Sequence, residues 1–357
     1  MIKEAFTGKI YYMQVMDEEG NVDLSLLPKE LDDKALLNMY MLMSKARSLD
    51  AKLLSLQRQG RALTYAPLVG EEATQIGSAL ALRKGDFVVP NFRQHAVYMT
   101  IGVPIEKFME YWKGYEEGDV MPEGVNATPV IVPVSTQMPH AAGIAYAYKY
   151  KKKDGAVLTY VGDGGTSEGD FYEAINFAGV FKAPLVAIIE NNQWAISVPR
   201  SRQSAAQTLA QKAIAAGIKG LQVDGNDVIA VYKATREALE NAKDGPTLIE
   251  CITYRLSMHT TADDPEKYRD DSEVEKWKAR DPILRLRKYL EKKGLWDDAK
   301  EKEMSDRQSK EIDEGVAAAE AFKPDPKAMF ENIYSFMPQV LKDEEDEALA
   351  AGFWEGK

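Results

Sequence analysis

Two short apolar runs, Ala156-Val157-Leu158-Thr159-Tyr160-Val161 and Leu185-Val186-Ala187-Ile188-Ile189, flank an amphipathic stretch from Glu168 to Phe181. Runs this short, without polar alternation, read as strands covered on both faces. The helical period between them supplies a crossover, so the two strands lie parallel. The alternation continues with a helix near Thr208–Ala216, a strand Leu221–Val223, a helix Asp227–Ala242 and a strand Thr247–Thr253. The expected fold class is α/β, a parallel sheet with helices on both faces.

Around this centre the chain changes character. Residues 1–33 read as an extended arm, with one strand over Tyr11–Met16 and a turn from Asp17 to Gly20. Asp32 or Asp33 caps a long helix that runs through Gln59. Its apolar positions Leu36, Met39, Tyr40, Met43, Ala46, Leu49, Leu53 and Leu56 recur at three and four, and Gly60 stops it. A second helix fits Glu71–Leu82. Residues 86–137 read as irregular, because Pro90, Pro104, Pro122, Pro129 and Pro133 break any long element. A helix Ala141–Tyr150 leads into the first buried strand. Beyond 272 the chain reads as charged helices over 273–293, 297–320 and 327–345, with Asp343–Glu347 as a solvated face. The expected organisation is an arm (1–33), an α/β domain (34–272) and a C-terminal helical region (273–357).

Charge and composition remove several classes of function. The 357 residues carry 45 basic against 56 acidic side chains, a net charge of -11, which repels a polyphosphate backbone and argues against a nucleic-acid partner. No run of eighteen or more uncharged apolar residues occurs, so no membrane span is expected. Cys251 is the single cysteine, which excludes an internal disulfide and a thiolate-cluster metal site. Met1–Gly8 has no apolar h-region. A cytoplasmic location is the expectation, or the mitochondrial matrix in a eukaryote.

The chemistry lies where the buried strands end. Gly162-Asp163-Gly164 follows the first strand and Asn191-Asn192 follows the next. Each motif is commonplace alone. Together they fall at the carboxyl ends of two strands joined by a helix, the edge at which parallel sheets bind ligands. A diphosphate needs a divalent cation, and magnesium wants six hard oxygens. Asp163 offers a carboxylate oxygen, Asn192 an amide oxygen, and the turn beyond it a main-chain carbonyl, that of Trp194. Gly162, Gly164 and Gly165 allow close backbone approach, and a helix starting near Thr166-Ser167-Glu168 turns its positive end to the phosphates. No Gly-Lys-Ser/Thr follows, so this is not a Walker loop, and the dinucleotide fingerprint is absent.

Gly162-Asp163-Gly164 through Glu190-Asn191-Asn192 resembles the thiamin-diphosphate motif. The longer run Gly162-Asp163-Gly164-Gly165-Thr166-Ser167-Glu168-Gly169-Asp170-Phe171-Tyr172-Glu173-Ala174 is similar to the alpha subunit of the decarboxylating first component of 2-oxo acid dehydrogenase complexes. The resemblance extends over nearly the whole chain, through Arg58-Gln59-Gly60-Arg61, Gly70-Glu71-Glu72-Ala73, Phe92-Arg93, Ser135-Thr136-Gln137, Gln222-Val223-Asp224-Gly225-Asn226-Asp227, Tyr254-Arg255, His259-Thr260 and Asp263-Asp264-Pro265. It implies a thiamin-diphosphate-binding fold and a cofactor set of Phe92, Arg93, Val132, Val134, Gly162, Asp163, Gly164, Gly165, Glu190, Asn192 and His259. Asp163, Asn192 and Trp194 would ligate Mg2+. Arg93 matches an arginine that holds the diphosphate. Phe92 stands where relatives usually have tyrosine, so a phenolic hydrogen bond is missing. Val134 matches a residue whose backbone touches the aminopyrimidine ring. His259 matches a loop histidine near cofactor and substrate and is the catalytic candidate. Some relatives bind K+ around Ile131, Pro133, Thr136 and Gln137. Of the other histidines, His140 reads as structural at a helix start and His95 points elsewhere.

The resemblance further implies an α2β2 enzyme. Its beta subunit carries the glutamate that activates the cofactor, so this polypeptide alone is expected to be inert. The implied reaction is oxidative decarboxylation of a 2-oxo acid, with acyl transfer to the lipoyl group of a dihydrolipoyl acyltransferase. Small residues in Ala141-Ala142-Gly143 would permit close helix packing between subunits. Branched-chain 2-oxo acids are the first substrate expectation, and pyruvate or acetoin the alternative. A non-catalytic diphosphate-binding scaffold is a third reading. Asp163, Asn192 and Arg93 together argue against it. A nicotinamide dehydrogenase fails on its missing motif.

Overall fold

Six parallel strands, in the spatial order Tyr11–Met13, Lys219–Asp224, Thr247–Ile252, Leu185–Asn191, Val157–Gly162 and Phe87–Val89, form the sheet of the computed structural model, which describes residues 1–352. The chain opens with β1 (Tyr11–Met13), then α1 (Asp33–Arg58) and α2 (Glu72–Leu80). The Asp32 carboxylate accepts from Ala35 N and caps α1 as expected, and Gly60 lies beyond its end at φ +72°. β1 is shorter than the expected strand. It lies at one sheet edge, with Tyr11–Met13 in parallel register with Leu221–Val223.

Residues 86–137 depart from the irregular expectation. They hold β2 (Phe87–Val89), α3 (His95–Ile101) and α4 (Ile105–Trp112). The prolines punctuate these elements and do not prevent them: Pro90 follows β2, and Pro104 is the N-cap of α4. Then come α5 (Gln137–Tyr150), β3 (Val157–Gly162), α6 (Gly169–Phe181) and β4 (Leu185–Asn191). The helix expected from Thr166 instead begins at Gly169, after a 3-10 turn over Gly164–Ser167. A small hairpin of β5 (Trp194–Ala195) and β6 (Val198–Pro199) precedes α7 (Arg200–Gln203). The helix expected over Thr208–Ala216 shrinks to α8 (Lys212–Ala215). The sheet is completed by β7 (Lys219–Asp224), α9 (Val228–Glu240) and β8 (Thr247–Ile252).

Alternate residues of the strands feed two cores. Leu158, Tyr160, Val186, Ile188 and Ile249 face α1, α2 and α9. Val157, Val161, Leu185, Ala187 and Ile189 face α5 and α6. All seven residues of β4 are buried, which explains its unbroken apolar reading. Truncating Ile188 to alanine would cost about 2–5 kcal/mol.

The C-terminal helices are α10 (Asp271–Lys278), α11 (Pro282–Lys292), α12 (Asp298–Ala321), α13 (Ala328–Glu331) and α14 (Gln339–Ala350). The expected helix over 273–293 is divided at Asp281, whose carboxylate accepts from Ile283 N and Leu284 N while Pro282 opens α11. The helix expected over 327–345 is likewise divided, with Pro338 as N-cap of α14. Leu286, Leu290, Met304, Ile312 and Val316 of α11 and α12 join the core on the α1 face. Within the expected acidic face, Glu345 is buried and its four neighbours are exposed. The last five residues of the expected C-terminal region lie outside the described residues. No described helix is long and apolar enough to cross a membrane.

Candidate functional site

Four strands deliver side chains to one cavity of ≈ 610 Å³ at the carboxyl edge of the sheet. β2 is followed by Phe92 and Arg93, β3 ends in Gly162 and Asp163, β4 carries Glu190 and leads to Asn192, and β8 leads to Arg255 and His259. The cavity is lined by Phe92, Arg93, Val132, Val134, Gly162, Asp163, Gly164, Gly165, Glu190, Asn192, Trp194 and His259. Every residue singled out for the cofactor or the metal therefore reaches the same space. His95 and His140 do not. His95 is buried, stacked on Tyr65 at 5.3 Å between ring centres, and burial pushes its imidazole down to about 3. His140 is exposed and places Nδ1 2.7 Å from Thr136 O.

The glycines have distinct geometric reasons. A Cβ on Gly162 would meet nothing within 4 Å, so the residue leaves open space on the cavity wall. A Cβ on Gly165 would lie 2.6 Å from Val161 Cγ2 and 2.9 Å from Ser135 Oγ, so the turn can approach the 134–135 loop only without a side chain. That approach is fastened by Ser135 Oγ, which donates to Gly165 O at 2.6 Å. The turn itself is held by Thr166 Oγ1 on Asp163 O (2.7 Å) and by the buried Lys212 ammonium on Thr166 O (2.6 Å).

The polar groups are buried and unevenly partnered. Asp163 is 1% exposed and its Oδ2 has no hydrogen-bond partner. Burial pushes its carboxyl up to about 7, although Arg255 opposes this. Glu190 receives Gln94 Nε2, yet its Oε1 is unpartnered; burial and then repulsion from Glu71 hold its carboxyl well above the usual range. Asn192 Nδ2 donates to Glu71 Oε1 at 2.7 Å, and Asn192 Oδ1 receives only a long contact from Trp194 N at 3.3 Å. These orphaned oxygens at one rim fit a hard divalent cation. Trp194 O receives Arg255 Nη1 at 3.0 Å, which leaves one of its two lone pairs for another partner.

The cations complete the rim. Arg93 is 4% exposed; its Nη1 reaches Pro67 O, and its Nη2 donates to His259 Nδ1 and to His259 O, both at 3.1 Å. With Nδ1 accepting, the ring proton sits on Nε2. Burial, followed by the positive Arg93 and Arg255, pushes His259 down to about 3, so the imidazole is neutral at neutral pH. Its loop is fixed by Asp263, which accepts from His259 N at 2.7 Å and from Tyr268. Phe92 meets His259 edge-on at 5.9 Å and offers no hydroxyl.

Sequence reasoning gave no role to Glu71, Arg255 or Lys212, although the first two lie in the runs Gly70-Glu71-Glu72-Ala73 and Tyr254-Arg255. All three are buried charges at the ends of apolar elements, and that placement is the signal that could have drawn attention to them.

Fold and rim together define a class: an α/β protein that gathers carboxylate, amide, guanidinium and imidazole groups around one cavity at the carboxyl edge of a parallel sheet. The family model for the dehydrogenase E1 component matches residues 40–328. Relatives named pyruvate dehydrogenase E1 component subunit alpha occur in Staphylococcus aureus strains Mu50 and MW2 and in Staphylococcus epidermidis strain ATCC 12228. Each is 44% identical over 341 residues, covering 94% of this chain and 92% of the relative. The chain belongs to the dehydrogenase E1 component family, as an alpha subunit of the thiamin-diphosphate-dependent 2-oxo acid dehydrogenases.

Proposed function

We propose that this chain is the alpha subunit of a pyruvate dehydrogenase, which with a beta subunit decarboxylates pyruvate and passes the acetyl group to the lipoyl group of a dihydrolipoyl acyltransferase. The relatives carry pyruvate in their names, so pyruvate replaces branched-chain 2-oxo acids as the first reading. The observation that carries the site assignment is the convergence of Asp163, Asn192, Arg93 and His259 on one cavity beside the open face of Gly162.

Asp163, Asn192 and the Trp194 carbonyl would hold Mg2+, and Arg93 with the turn amides beyond Gly162 would hold the diphosphate. Thiamin diphosphate supplies, when bound, a carbon nucleophile and a sink for the electron pair left by carbon dioxide. The neutral His259 donates from Nε2 to an anionic group of cofactor or substrate without adding a charge to the cavity. Val132 and Val134 are exposed at the cavity mouth, where a beta subunit would cover them and exclude water. The exposed Phe177, Val180 and Phe181 of α6, with Gly143 open on α5, supply a further surface for that partner. A K+ site around Ile131, Pro133, Thr136 and Gln137 has one supporting feature: Gln137 Oε1 is buried without a partner.

Co-expression with a beta subunit, followed by assay with pyruvate and 3-methyl-2-oxobutanoate, tests the reading. A kcat/KM at least about tenfold higher for pyruvate is expected, equivalent to about 1.4 kcal/mol of transition-state discrimination. A preference for the branched substrate would restore the other reading.

A further inference from the structure

We propose that Glu71 is a positioning residue for the metal end of this cavity: its carboxylate fixes the Asn192 amide so that the oxygen, and not the nitrogen, faces the cation. The inference rests on the cofactor reading above and assigns a role to a residue that neither sequence motif contains.

Glu71 is 1% exposed and lines the cavity with Asp163 and Asn192. Its main-chain N donates to Leu68 O at 2.9 Å, which holds the residue at the start of α2. Oε1 accepts from Asn192 Nδ2 at 2.7 Å and lies 3.8 Å from Arg93 Nε. The side chain thus stands between the amide proposed for the metal and the guanidinium proposed for the diphosphate.

The chemistry of the pair permits one orientation. A carboxylate only accepts hydrogen bonds, so it can hold the amide of Asn192 only by its nitrogen. The oxygen is then turned to the opposite side. Trp194 N at 3.3 Å from that oxygen is too distant to set the orientation alone. Without Glu71 the amide can rotate by half a turn, present two N–H groups to a divalent cation, and remove a ligand. The neighbouring asparagine shows the same device in a structural setting. Asn191 Nδ2 donates to Glu250 Oε1 at 2.7 Å, but Glu250 also receives Ala210 N and Gln222 Nε2 on its other oxygen. Glu71 Oε2 has no such partner, consistent with a group placed at a ligand cavity.

The test uses the chain co-expressed with its beta subunit and calorimetric titration of Mg2+ at saturating thiamin diphosphate. Glu71→Ala should weaken Mg2+ binding about 10–100-fold. Glu71→Gln keeps an acceptor oxygen for Asn192 Nδ2 but can also turn its own amide to donate, so it should bind Mg2+ more weakly than the parent and more tightly than Glu71→Ala. The decisive pair is Asn192→Asp with and without Glu71→Gln. N192D alone sets two carboxylates against each other and should bind Mg2+ weakly. N192D/E71Q lets the glutamine amide donate to the new carboxylate and should bind more tightly than N192D alone. A merely structural Glu71 would give no such reciprocal rescue. Unfolding midpoints measured without ligand identify any variant that fails to fold. Unchanged affinity in E71A, equal loss in E71Q and E71A, or no recovery in N192D/E71Q each overturns the proposal. A parent enzyme that shows no magnesium-dependent binding of thiamin diphosphate overturns the cofactor reading as well.

Discussion

Two groups of buried carboxylates lie at the same edge of the sheet, and their surroundings differ. Beyond β7, Asp227 accepts four main-chain N–H groups, from Val15 and Met16 on one oxygen and from Ile229 and Ala230 on the other. Asp224 accepts from Gln14, Asn226 N and the buried Arg285. These carboxylates tie the N-terminal arm, α9 and α11 to the sheet, and each oxygen is satisfied. In the cavity, Asp163 Oδ2, Glu190 Oε1 and Glu71 Oε2 have no partner. Structural charge is saturated by the protein itself; the cavity carboxylates keep oxygens free for a ligand.

Substitution can break this contrast. Asp163→Ala should weaken magnesium-dependent thiamin-diphosphate binding by about a thousandfold or more, since it removes the only carboxylate proposed as a metal ligand. Its unliganded stability should hold or rise, because the buried carboxyl is poorly compensated. Calorimetric titration and thermal unfolding read the two quantities separately. Asp227→Ala should show the reverse: a loss of about 3–5 kcal/mol in chemical denaturation and an unaltered cofactor affinity in the folded fraction. If both variants lost stability alike and both kept the cofactor, the two groups would be equivalent and the contrast would fail.

A milder change sharpens it. Lys212 is buried, makes no ion pair within 4 Å among the described residues, and holds Thr166 O behind Asp163. Lys212→Met keeps a linear apolar side chain but removes the ammonium that holds Thr166 O and lies over the Phe171 and Tyr172 rings, and should weaken cofactor binding about tenfold, measured by the same titration.

The expected pH effect is smaller and concerns a third kind of buried group, kept neutral. In the folded chain His95 takes up a proton only near pH 3, whereas in the unfolded chain it does so near 6.5. Between those values the unfolded state binds the extra proton, so stability falls as pH drops through the window. Relative to His95→Phe, the parent should lose about 2 kcal/mol by pH 5 in denaturant unfolding. A difference independent of pH would show that the imidazole titrates in the folded chain as it does in the unfolded one.

Much of the central fold was legible because β3 and β4 lack polar alternation and α6 has a clear period. Asp163, Asn192, Arg93 and His259 were legible because each sits in a short motif. Glu71 also sits in a short run, Gly70-Glu71-Glu72-Ala73, but its role was not legible, because its partner lies 121 residues away and meets it only when the sheet edge forms. Arg255 was hidden for the same reason: it reads the carbonyls of Trp194 and Ile196 across the hairpin. The segment 86–137 was misread because its strand and helices are three, seven and eight residues long, too short for a period to emerge beside five prolines.

The most direct measurement is a crystal of the αβ enzyme grown with thiamin diphosphate and Mn2+ in place of Mg2+, examined for anomalous scattering. The account predicts one peak about 2.1 Å from a carboxylate oxygen of Asp163 and from Asn192 Oδ1, against the diphosphate. A peak bound by neither residue, or cofactor seated with no metal beside them, would contradict it.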